Sequence, residues 1–236
     1  MYNKVTAQSI RKEMDMPSST FFNLPHEKRE RILSRCFAEF TKHSYQGASV
    51  SKVVDELGIS KGSMYKYFVN KQDLYLYLVQ QAAAVKLNYL AASLQTDSDS
   101  FFDNLWSVVK TGVEFDINYP QYSLFLGRVC TDEDALADNP VSRQLISRSY
   151  SFIRDLVLSA QERGDVRHDL SADLISYLIN NTIVNYADMV TKKFDLSQEK
   201  LLDKLNQNDT SQDLNKEYVL AELKSLLNMI RTGIEK

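Results

Sequence analysis

The stretch Ser49-Val-Ser-Lys-Val-Val-Asp-Glu-Leu-Gly-Ile-Ser-Lys-Gly-Ser-Met-Tyr-Lys-Tyr-Phe68 leaves this chain few folding options. Val50, Val53, Val54 and Leu57 follow Ser49 at helical spacing, and a serine hydroxyl suits an N-cap. Gly58 then fits the left-handed position that ends a helix, and Ser60 can cap a second one over Lys61 to Tyr67. Two short helices joined by so tight a turn must cross at an angle and bury one face each. Val53, Val54, Leu57, Ile59, Met64 and Phe68 supply that inner face. Upstream, Ile32, Leu33, Cys36, Phe37 and Phe40 form an amphipathic helix that Pro25 starts, with Asn23 as its expected cap. Downstream, Asn70 caps the next helix and Asp73 sits well in its first turn. Three short helices around one tight glycine turn make a helix-turn-helix unit of about 45 residues.

The outward residue types of that unit suit DNA. Lys61 and Lys66 bring charge, and Ser63 is short enough to let the helix approach base edges. Tyr65 and Tyr67 carry hydroxyls that reach phosphate or bases, and Gly62 removes a side chain where the backbone could approach closely. Lys61, Ser63, Lys66 and Tyr67 are expected to stand free of the inner face. Charge agrees with this. The whole chain carries −3, yet residues 26–71 hold nine Lys/Arg against five acids. Everything from Gln72 onward is acidic by eight charges. A basic head on an acidic body fits a polyanion-binding module joined to a domain that does not bind polyanions.

The pattern from Arg31-Ile-Leu through Phe37, Phe40, Gly47, Ser49-Val50 and Val53-Val54 resembles the TetR/AcrR family of bacterial regulators. It continues through Gly58-Ile59-Ser60-Lys61-Gly62-Ser63-Met64-Tyr65-Lys66-Tyr67-Phe68 to Lys71-Gln72-Asp73-Leu74, covering about 50 residues in order. The resemblance implies that Ser49 caps the second helix and touches phosphate, and that Lys61, Ser63, Tyr65 and Lys66 lie on the recognition helix. It also implies that Tyr67 and Lys71 clamp the DNA backbone. Two positions depart from the pattern: Lys66 falls where the family varies, and Tyr67 where histidine is frequent.

The body reads as helices near 70–95, 99–118, 121–129, 140–163, 171–194 and 213–234. The polar connection Asp195–Gln212 has one helical turn expected around Glu199–Leu205. Only 7 Gly and 4 Pro argue against a turn-rich all-β fold. The expected fold is all-α: an N-terminal three-helix helix-turn-helix DNA-binding domain (22–71) followed by a larger helical ligand-binding and dimerisation domain (72–236). Residues 1–21 are expected to be disordered or extended. Met14 and Met16 are alternative start positions within them, and a basic arm for a minor groove is the rival reading.

By resemblance, the helices near 171–194 and 213–234 form a homodimer interface. Their stripes are Leu174, Ile175, Leu178, Ile179 and Ile183, then Leu220, Leu223, Leu226, Leu227 and Ile230. Intramolecular core is the other reading of the same stripes. Phe102, Trp106, Tyr122, Phe125 and Tyr177, with Phe115 and Tyr186, are candidates to line a site for a small apolar or aromatic ligand, although each also suits plain core. The expected partners are thus double-stranded palindromic operator DNA, a small-molecule ligand and a second copy of the chain.

Cys36 lies on an apolar helix face and Cys130 is far from it in sequence, so neither disulfides nor zinc spacing are indicated and a cytoplasmic setting is expected. No apolar run reaches the roughly 18 residues of a membrane span. No phosphate loop, nucleophile elbow or metal cluster occurs, and His26, His43 and His168 are scattered. No cofactor, metal or catalytic residue is therefore expected. An enzyme without a recognisable motif and a helical interaction protein with a basic head remain the two alternatives.

Overall fold

A computed structural model describes residues 17–91, 100–131, 140–207 and 214–235. Among these every regular element is an α-helix. We label them α1 (Ser19–Phe22), α2 (His26–Lys42), α3 (Val50–Leu57), α4 (Lys61–Tyr67), α5 (Lys71–Ala91) and α6 (Phe101–Asn118). There follow α7 (Pro120–Thr131), α8 (Pro140–Arg163), α9 (Ala172–Lys193), α10 (Gln198–Asn206) and α11 (Lys216–Ile234). No helix among the described residues is long and apolar enough to cross a membrane.

Caps explain most of the boundaries. The hydroxyls of Ser49, Ser60, Ser100, Ser171 and Ser197 each accept a backbone N–H three residues on, as does the Asn215 side chain at the start of α11. Asn70 Oδ1 accepts the Asp73 N–H at 2.9 Å and starts α5. The α3 helix ends on Gly58 at φ 66°, with the Gly58 and Ile59 N–H groups donating to Asp55 O and Val54 O. A Cβ added to Gly58 would meet nothing within 4 Å, so only backbone strain opposes a side chain there. Gly58→Ala is therefore expected to destabilise the head by about 1–2 kcal/mol, read as a lower urea midpoint with unchanged far-ultraviolet dichroism.

The chain divides into two compact units. The first holds the described residues up to Ala82 together with Phe125–Ser142, and the second holds Ala83–Leu124 and Arg143–Lys236. In the first, α3 packs across α2 and α4, and the inner faces join into one core: Ile32, Cys36, Phe37 and Phe40 from α2, then Val53, Val54 and Leu57 from α3. Met64 and Phe68 complete it beside Leu74 to Val79, which are buried on every side of α5. In the second unit α11 packs on α6 and α9, and α10 closes over α6 and α9. Its core runs from Phe101 and Leu105 through Ile153, Val157, Ile175 and Ile179 to Leu223, Leu227 and Ile230.

Four expectations change. Asn23 does not cap α2; it ends α1, and α2 starts on Pro25 without a side-chain cap. Residues 17–21 were assigned to an unstructured segment, yet Phe21 is completely buried and Ser18 is hydrogen-bonded to α4. Residues 1–16, with the proposed basic arm and the alternative starts, lie outside the described residues. The turn expected near Glu199–Leu205 is the full helix α10. The paired stripes of α9 and α11 divide: Ile175, Ile179, Leu223, Leu227 and Ile230 are core, whereas Leu174 and Leu178 face outward.

Candidate nucleic-acid interface

The short helix α4 is held from both ends. At its start Ser60 Oγ accepts the Ser63 N–H at 3.0 Å and lies 2.9 Å from Ser63 Oγ. At its end the Ser18 N–H donates to Tyr67 O at 3.0 Å and Ser18 Oγ donates to Lys66 O at 2.6 Å. These bonds satisfy carbonyls that a helix C-terminus otherwise leaves open. Met64 anchors the inner side, and Lys61, Gly62, Tyr65 and Lys66 remain exposed, with Ser63 half-buried. A Cβ at Gly62 would meet only Ser60 Oγ, at 3.8 Å. Nothing inside the protein therefore requires glycine there, and the outer side of α4 is free for close approach.

Ser49 stands at the start of α3, where its hydroxyl accepts the Lys52 N–H at 3.3 Å. Its own N–H donates to Glu39 Oε1 at 3.0 Å. Arg31 Nη2 donates to Leu57 O at 2.6 Å, and Arg35 pairs with Glu56, so α2 grips α3 at both ends. Lys71 is partly withdrawn: its Nζ donates to Gln46 O at 3.0 Å and lies 5.0 Å from the centre of the Tyr45 ring. Burial pulls the Lys71 ammonium below its usual pKa, and the nearby Glu39 carboxylate opposes that shift.

Tyr67 is placed differently from expectation. It is 7% exposed, with its ring 5.8 Å from that of Phe21, so α1 covers the face that was expected to stand free. Glu39 is the residue the sequence reading missed. It is 4% exposed, and its Oε2 lies 3.2 Å from Lys52 Nζ. Burial raises its pKa, but the Ser49 N–H and the Lys52 ammonium outweigh this and hold it below the usual value of 4.5. Cys36 is buried and its thiol is pushed up to about 12, which leaves it unreactive.

The five ligand-lining candidates do not share one environment. Phe125 belongs to the core of the first unit, 5.1 Å from Phe37 and 5.8 Å from Tyr75. Tyr177 is 59% exposed on the outer face of α9. Phe102 and Trp106 are half-buried under cations of α11, with Arg231 5.1 Å and Lys224 5.6 Å from their ring centres. Tyr122 is half-buried, 6.4 Å from Tyr119. Phe115 is fully buried against Tyr119, and the Tyr186 hydroxyl bonds to Glu222 Oε2 at 3.2 Å. Among the described residues no group of three or more His, Cys, Asp and Glu side chains could hold a metal ion.

A capped short helix with a basic, open outer face, crossed by a second helix behind a left-handed glycine turn, defines a helix-turn-helix DNA-binding protein. Residues 32–78 match the family model described as bacterial regulatory proteins, tetR family. That match covers the helix-turn-helix head, from within α2 into α5. The chain is 22% identical over 158 residues to the probable acrEF/envCD operon repressor of Escherichia coli (strain K12), covering 64% of this chain and 70% of that protein. A TetR family transcriptional regulator from Chloroflexus aurantiacus J-10-FL shares the fold with a TM-score of 0.77 at 24% identity, covering 94% of this chain and 99% of that one. The regulator FadR from Bacillus subtilis, solved in complex with stearoyl-CoA, matches with a TM-score of 0.65 at 13% identity over 87% of this chain and 99% of its own.

Proposed function

We propose that the chain is a dimeric transcriptional repressor acting in the cytoplasm, which sets α4 of each protomer into the major groove of a palindromic operator. The exposed face of Lys61, Gly62, Tyr65 and Lys66 carries this reading, because it combines donors with an opening where no side chain intervenes. Ser63 lies at its edge, while Ser49 and Lys71 flank it as phosphate-contacting groups. Tyr67 supports the recognition helix from within. No catalytic step, metal or cofactor is part of this activity.

Dimerisation is supported by Leu174, Tyr177, Leu178, Val184 and Met189, which leave an apolar face exposed on α9, and by Met229 on α11, 70% exposed. An apolar helix face of this kind is ordinarily covered by a partner. A palindromic operator presents half-sites about 34–36 Å apart, one turn of DNA, and two copies would meet them with one recognition helix each. Leu178→Glu puts a charge in the middle of that face. It is expected to sediment as a monomer at concentrations where the unsubstituted chain is a dimer, and to lose operator affinity with α4 intact. A dimeric Leu178→Glu chain with full affinity would place the interface elsewhere.

The second unit is proposed to bind a small apolar or aromatic ligand, as the stearoyl-CoA complex of FadR illustrates for a related fold. Such a ligand releases the operator only to the extent that it prefers the conformation with lower DNA affinity.

A further inference from the structure

Glu39 sits within the buried stripe of α2, beside Phe40 and one turn after Cys36, where an apolar side chain would fill the same space. A buried carboxylate is costly unless paired, and replacing a buried ion pair by apolar groups is often neutral or stabilising. Packing alone therefore does not account for it. The groups it faces do. The Lys52 ammonium is 3.2 Å away, the His43 imidazole Nε2 is 3.8 Å away, and its field reaches Lys71. Lys52 stands on α3 three residues beyond Ser49, beside the groups assigned above to the DNA backbone, and its own side chain is still 45% exposed.

We propose that Glu39 is an internal counter-charge that holds Lys52 out of the phosphate-contact set, lowering sequence-independent attraction to DNA so that discrimination rests on the outer face of α4. The inference rests on the DNA-binding reading given above. Sequence-independent affinity comes almost wholly from cations that replace condensed counterions on phosphates. A lysine already neutralised by a carboxylate contributes little to it, while base-edge contacts are untouched.

The test uses the full chain and a random-sequence duplex, with affinity measured between 50 and 200 mM salt. Glu39→Gln keeps an acceptor for the Ser49 N–H but releases Lys52. Its plot of log affinity against log salt is expected to steepen by ~0.9, the contribution of one phosphate contact, or about 3.5-fold in affinity across that range. Asp55→Asn makes the same charge change on α3 at an exposed carboxylate and is expected to leave the slope alone. Glu39→Gln with Lys52→Gln is expected to restore the original slope.

Lys52→Gln alone needs no change at the buried site, and the proposal predicts an unchanged slope for it. A shallower slope in Lys52→Gln would show a lysine already on phosphate and overturn the proposal. So would an unchanged slope in a folded Glu39→Gln chain, or a steepening that Asp55→Asn shares. A chain that binds no duplex at all would overturn the DNA-binding reading and this inference with it. One that binds, and loses slope with Lys52→Gln, overturns this inference alone.

Discussion

Phe21→Ala is expected to cost the first unit about 3–5 kcal/mol, the usual range for truncating a fully buried phenylalanine. Phe21 has no exposed surface, and its ring lies 5.1 to 5.9 Å from those of Phe22, Tyr67, Phe68 and Tyr77. The four-residue helix α1 is too short to persist on its own; this buried ring holds it in place together with the Ser18 bonds to α4 and the Arg29 guanidinium, which donates to Phe22 O at 2.7 Å. Losing it opens a cavity beside α5 and frees Ser18 from the Lys66 and Tyr67 carbonyls. The effect should therefore concentrate at the end of the recognition helix. Urea unfolding followed by circular dichroism should show the lower midpoint, and hydrogen exchange at the Tyr65–Phe68 amides should accelerate before global unfolding. Unchanged exchange there would mean that α1 does not brace α4.

Gly62→Leu separates stability from function. The site has open space around it, and leucine is a better helix former than glycine by several tenths of a kcal/mol. The substituted chain should melt at the same temperature or slightly higher. On the DNA side, a leucine would stand where the proposed docking brings the backbone of α4 close to the groove. Operator affinity is expected to fall to the non-specific level, a loss on the order of 10³-fold or more. Competition against unlabelled operator and random duplex at one salt concentration measures it. Gly62→Leu binding as tightly as the unsubstituted chain would remove Gly62, and with it this face of α4, from the interface.

Local signals carried much of this architecture. Ser49, Gly58, Ser60 and Asn70 mark helix ends through their own hydrogen bonds or backbone angle, so their roles need no tertiary knowledge. The helix expected near 140–163 is α8, Pro140–Arg163. Phe21 was not legible in this way, because four residues carry no periodicity and, apart from Phe22, its ring neighbours are 46 or more residues away. Glu39 was missed because an apolar stripe is read by its hydrophobic members, and only the fold brings Ser49 and Lys52 to its carboxylate. Ring placement was equally out of reach. Phe125 packs on Phe37, and Phe102 and Trp106 lie under cations more than 100 residues later in the chain. Tyr177 illustrates a limit of helical stripes: α9 is apolar on a core side and on an outer side, and spacing does not say which side a ring takes.

The most direct test is selection from a pool of random duplexes by the purified full chain, at fixed salt near physiological strength. The account predicts enrichment of an inverted repeat with half-site centres about 10–10.5 base pairs apart. The enriched duplex should bind at least about 10³-fold more tightly than the starting pool, and Gly62→Leu should abolish that preference. Failure to enrich any sequence, with equal affinity for every duplex, would contradict it and leave a basic head that is attracted to DNA by charge alone.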